Sequence, residues 1–135
     1  MAHRLSFWLL SLVGAALVSG CIETNETLAI RNDTTTPLTA TVDLQGDFEA
    51  YDCADESGRA TTSVSGPTAL TIAPGRRLCL RAPASGGDEV IDAVHRLTVA
   101  RGEVVCVEGD SDSLRKLITD EVPLPTLRVV EADCE

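Results

Sequence analysis

Leu38-Thr39-Ala40-Thr41-Val42-Asp43-Leu44 is the stretch that decides the fold. Leu38, Ala40, Val42 and Leu44 alternate with Thr39, Thr41 and Asp43. Successive side chains of a β-strand point to opposite faces, so a period of two marks a strand with one face buried and one wet. The same pattern extends in both directions. Upstream, Leu28-Ala29-Ile30-Arg31 runs into Asn32-Asp33-Thr34-Thr35-Thr36-Pro37, a strand closing in a turn. Downstream, strands are expected at 61–65, 68–73, 77–82, 94–100, 103–108 and 126–132, with breaks at Gly66-Pro67, Pro74-Gly75, Gly86-Gly87 and Arg101-Gly102.

Short strands with frequent turn signals predict an all-β domain: a small β-sandwich, immunoglobulin-like or similar, or a barrel, with at most one short helix. The Pro74-Gly75 connection resembles turns common in immunoglobulin-like sandwiches. Register constrains it further. Leu70 and Ile72 share one face, as do Leu78 and Leu80, and a two-residue loop would set these pairs on opposite faces. Either a loop of three or five residues or a crossing between two sheets is required. Two segments carry helical signals: Val90, Ile91, Val94 and Leu97, and a turn capped by Ser113 ahead of Leu114, Leu117 and Ile118.

The N-terminus has a different character. Arg4 is followed by 18 residues, 5–22, without a charge, and the run ends in Val18-Ser19-Gly20-Cys21. A basic front, a short apolar segment and small residues at its end form an export signal helix. The Val-Ser-Gly-Cys tetrad resembles the lipobox of prokaryotic lipoproteins. The resemblance covers the first 21 residues. It implies cleavage between Gly20 and Cys21, a diacylglyceryl thioether on Cys21, and often acylation of the new amino terminus. One acyl chain holds weakly, whereas two or more, at ~0.8 kcal/mol per buried CH2, hold stably. An uncleaved membrane anchor and an ordinary secretory site are the other two readings. There is no twin-Arg pair, and Ile22 stands where some double-membraned bacteria place an inner-membrane-retaining Asp. The expected address is therefore the non-cytoplasmic side of the cell envelope, at the outer membrane if the source has one. Residues 1–20 are assigned to the signal peptide, 21–27 to a lipidated tether and 28–135 to a single β domain. Beyond the lipid-bearing Cys21, residues 22–27 reach at most about 20 Å when extended.

Removing 20 residues from 135 leaves 115, one ordinary domain, and loss of Arg4 takes the formal charge from −10 to −11. Such acidity disfavours nucleic acid and anionic headgroups, and suits a cationic protein partner. Besides Cys21 there are Cys53, Cys79, Cys106 and Cys134, at spacings of 26, 27 and 28. Four cysteines in a small exported domain read as two disulfides, with three possible connectivities. Cys53–Cys79 with Cys106–Cys134 is preferred, because each closes a sequence-adjacent loop and the second ties down the C-terminus. Cys79 shares a face with Arg77 and Arg81, within reach of a loop carrying Cys53.

Candidates for chemistry are few. His95 is the one histidine after the leader and has no motif beside it. No P-loop or dinucleotide fingerprint appears. Asp52-Cys53-Ala54-Asp55-Glu56 and Asp110-Ser111-Asp112 group oxygen ligands without completing a calcium loop. Asn25-Glu26-Thr27 and Asn32-Asp33-Thr34 fit the N-glycan acceptor pattern. Phe48 and Tyr51 are the only aromatics after the leader, and are expected to pack a core edge near the first disulfide. Tyr51-x-Cys53 ahead of Gly58 is similar to a short motif of lipoprotein lysozyme inhibitors, whose other motifs are missing. The expectation is a non-enzymatic, lipid-anchored envelope protein with a binding or structural role and no catalytic residue, metal or cofactor. The alternatives are an envelope inhibitor or capture module for a cationic protein and, third, a hydrolase with a cryptic site.

Overall fold

The computed structural model describes residues 27–55, 62–82, 90–119 and 124–135. Among these residues ten strands form two sheets. They are β1 (Thr27–Asp33), β2 (Leu38–Leu44), β3 (Phe48–Asp52), β4 (Thr62–Val64), β5 (Thr68–Ile72), β6 (Arg77–Arg81), β7 (Val94–Arg101), β8 (Val104–Gly109), β9 (Ile118–Thr119) and β10 (Thr126–Val130). The six-stranded sheet has the order β4-β3-β6-β1-β10-β9 and the four-stranded sheet β5-β2-β7-β8. Both sheets are open, so the architecture is a sandwich and the barrel alternative drops out.

The decisive stretch is β2, with the expected bounds: Leu38, Ala40, Val42 and Leu44 are buried, whereas Thr39 and Thr41 are exposed. The facing sheet supplies Leu28, Ile30, Leu80, Leu127 and Val129, all buried in one apolar core. The chain crosses between sheets repeatedly, and Pro74-Gly75 is one such crossing. Ile72 pairs with Leu38 in one sheet while Leu78 pairs with Ile30 in the other. Both apolar sets therefore face the core, the condition that the register imposed.

Most pairings are antiparallel. The exception is β1 with β10, which run parallel, Ala29 beside Thr126 through Asp33 beside Val130. Geometry demands glycine at several positions, two of which shape the β7–β8 hairpin and its exit. Gly102 opens the two-residue β7–β8 turn at φ 58°, in the left-handed region that favours glycine. At Gly109 a Cβ would lie 2.8 Å from the Cβ of Ser113, so only a bare α-carbon lets β8 run into the next turn.

That turn is the one α-helix among the described residues, α1 (Ser111–Arg115). Its cap is Asp110 and not Ser113. The Asp110 carboxylate accepts from the Ser113 backbone N–H and hydroxyl, both at 3.0 Å, satisfying an N-terminal donor. Leu114 is fully buried and closes one end of the core beside Val90 and Ile91, whose segment Val90–Ala93 is a 3-10 turn leading into β7. Arg115 pairs with Asp92 across that junction. Leu117 is exposed and Ile118 enters β9, so the expected helical stripe through 117 and 118 does not form. β3 was not anticipated as a strand. Its Phe48 and Ala50 are buried, and Tyr51 stands half-buried opposite Cys79.

Asn32 fixes the β1–β2 turn from inside. It is fully buried, its Nδ2 donates to Thr36 O and Ile72 O, both at 2.9 Å, and its Oδ1 accepts from the Thr34 N–H and hydroxyl. An amide with every donor and acceptor used internally leaves no room for a glycan, so the Asn32 acceptor pattern is structural. Asn25 lies outside the described residues.

Candidate functional site

The cysteines expected to cross-link do so as Cys53–Cys79, with Cα atoms 5.1 Å apart, and Cys106–Cys134, at 4.2 Å. The first joins the turn after β3 to β6 within one sheet. The second joins edge strand β8 to the 3-10 turn Glu131–Cys134 that follows β10, and so ties one sheet to the other. That C-terminal turn has further fastenings. Arg101 donates to Glu131 at 2.7 Å and to the Cys134 carbonyl at 3.1 Å, while the other Glu131 oxygen accepts from the Thr35 N–H and hydroxyl. These bonds, Thr35's backbone donor first and Arg101 next, hold the Glu131 carboxyl below its usual range.

The remaining sequence candidates are scattered. Cys21 lies outside the described residues. His95 is exposed on β7. Asp52 closes a local turn by accepting from the Ala54 N–H at 2.9 Å, and Asp110 is the helix cap, its carboxyl held low by Ser113. No three His, Cys, Asp or Glu side chains among the described residues are grouped to hold a metal ion. No helix among them is long and apolar enough to cross a membrane.

What the fold does bring together is a set of arginines that sequence reasoning missed. The outer face of the six-stranded sheet reads in rows across adjacent strands. One row is Glu49, Arg81 and Thr27 on β3, β6 and β1; the next is Tyr51, Cys79, Ala29 and Thr126; the third is Arg77, Arg31 and Arg128 on β6, β1 and β10. In the first row Arg81 meets Glu49 at 2.5 Å and lies 5.0 Å from the Tyr51 ring centroid, a closed ion pair with a cation–π contact. The third row is unlike it. Three guanidinium-bearing residues stand side by side at strand spacings of about 4.8 Å, an arrangement of like charges that destabilises a sheet.

Among the described residues, one carboxylate serves this row. Asp33, at the end of β1 and 16% exposed, accepts from Arg31 Nε at 2.7 Å through one oxygen and from Arg128 Nε at 2.9 Å and Nη2 at 2.7 Å through the other. Arg31 therefore spends its Nε on Asp33 and keeps its terminal nitrogens unbonded to described residues. Arg77, half-buried beside it, has no hydrogen-bond or ion-pair partner among the described residues. Arg76 follows at the strand start, 4.0 Å from Asp52. In a chain of formal charge −10, with 11 basic residues in all, Arg31, Arg77, Arg81 and Arg128 belong to this one face.

Comparison with protein-family models, with curated proteins and with solved structures gives no match.

Proposed function

We propose that this chain is a lipid-anchored protein of the cell envelope whose β-sandwich has a non-enzymatic binding role. The observation that carries the reading is the cysteine inventory. Cys53, Cys79, Cys106 and Cys134 are all consumed in disulfides inside one domain, which leaves Cys21, in its Val-Ser-Gly-Cys setting, as the one cysteine for a lipid. Disulfides of this kind persist in oxidising compartments outside the cytosol. A binding role suits the chemistry on display: the described cysteines hold no free thiol, and His95 stands exposed on a strand away from any described nucleophile motif. Capture of a cationic protein by the acidic surface is the runner-up. The arginine row favours an anionic ligand instead.

Intact-mass measurement of membrane-extracted protein tests the anchor. The expected product starts at Cys21, carries a diacylglyceryl adduct and partitions into detergent; Cys21→Ser abolishes both the adduct and the partitioning. A Cys21→Ser protein that is processed and still partitions with membranes would overturn the assignment.

A further inference from the structure

We propose that Arg77 and Arg31 form a binding site for a phosphate monoester or inorganic phosphate on the outer face of the six-stranded sheet. This does not depend on the lipid at Cys21 and goes beyond the anchoring role. The two residues are direct cross-strand partners on β6 and β1, so their side chains leave the same face side by side. Arg77 offers five donors with no described acceptor, and Arg31 offers the donors that Asp33 does not take. A planar carboxylate fills one guanidinium fork. A tetrahedral phosphate has oxygens left for a second fork on the neighbouring strand, and Arg is the residue type suited to such recognition. Charge makes the same choice. A monoester carries about 1.5 to 2 negative charges near pH 7, enough to answer two guanidiniums, whereas a diester lipid headgroup carries about one.

Asp33 sets the affinity. It already neutralises part of Arg31, and so competes with the incoming anion. It also holds Arg31 in place, fixing one half of the pincer before the ligand arrives. The site is therefore expected to bind reversibly and to release its ligand readily.

The test follows the Nε–Hε resonances of the arginines in nitrogen-15-labelled processed protein, titrated with inorganic phosphate at constant ionic strength. Arg77 and Arg31 should shift together and saturate, while Arg101, committed to Glu131 and Cys134, stays still. Arg77→Gln should weaken the Arg31 response at least about tenfold, with an unchanged backbone spectrum as evidence of folding. Asp33→Asn should tighten binding roughly threefold by removing the competing charge. Acetate at equal ionic strength, and vesicles of phosphatidylglycerol, should leave the two resonances in place. Equal drift of all arginines, a response unaffected by Arg77→Gln, or a response to vesicles alone would overturn the proposal.

Discussion

On the outer face of the four-stranded sheet, Thr71, Thr39 and Ala100 form one row across β5, β2 and β7, and Ala69, Thr41 and Thr98 the next. On the outer face of the six-stranded sheet the corresponding rows hold Cys79 beside Ala29 and then Arg77, Arg31 and Arg128. Both faces obey the same alternation, and both turn their other side to one core. Threonine suits an exposed strand face, because its branched carbon fits the pleat and its hydroxyl meets water. The threonine face therefore shows what a wet face of this sandwich requires. Adjacent arginines exceed that requirement and cost stability through mutual repulsion. Folding explains the first face; on the second, Asp33 answers Arg31 and Arg128 and leaves Arg77 with no described partner, which is the argument for a ligand.

The comparison breaks most severely at Asn32, which lies between Arg31 and Asp33 on β1 but points into the core. Asn32→Ala strands the Thr34 N–H and takes one donor each from the carbonyls of Thr36 and Ile72, and is expected to cost about 3 kcal/mol, read as a lower urea midpoint with an unchanged slope. A loss under about 1 kcal/mol would mean that the turn is held by something else. Next come the disulfides. Their sequence separations, 26 and 28, predict nearly equal entropic contributions, about 3 kcal/mol each. Their effects on the arginine row should differ. Cys53→Ala with Cys79→Ala loosens β6 beside Arg77 and should weaken phosphate binding; Cys106→Ala with Cys134→Ala should leave it intact. Calorimetric titration of both double variants separates the two outcomes.

Acid sensitivity sharpens the contrast at the C-terminal turn, where Glu131 after β10 meets Arg101 of β7. The Glu131 carboxyl is depressed in the folded protein by Thr35 and Arg101, so its contribution is present above the ordinary glutamate range and is lost as pH falls through its lower folded value. Glu131→Gln should lower the melting temperature at pH 7 and narrow the gap from the parent protein as pH approaches 3, about one unit below the ordinary range. A gap that is constant across that window would show that the carboxylate's charge is idle there.

Local pattern carried much of the fold. β2 reads directly from its alternation, and the Pro74-Gly75 crossing follows from the registers of Leu70, Ile72, Leu78 and Leu80. β3 escaped notice because Phe48-Glu49-Ala50-Tyr51-Asp52 is short and mixes one small and two aromatic residues, which reads equally well as a core edge. β9 has two residues and no pattern to read. The helix cap fell to Asp110 because three residues, not one, separate a cap from the N–H that it serves. The arginine row was illegible for a different reason. Arg31, Arg77 and Arg128 lie far apart along the chain, and only the antiparallel β1–β6 and parallel β1–β10 registers make them neighbours. Non-local pairing is what a single sequence withholds.

The smallest substitution bears most directly on the central claim. Arg77→Thr brings the chemistry of the threonine face to the arginine face, and its urea denaturation should be measured with and without inorganic phosphate. Without phosphate the variant should match the parent or exceed it by up to about 0.5 kcal/mol, because a like-charge neighbour is gone. With phosphate at tenfold over its dissociation constant, the parent alone should gain about 1.4 kcal/mol. A variant less stable than the parent in phosphate-free buffer, together with equal phosphate stabilisation of both proteins, would contradict the account.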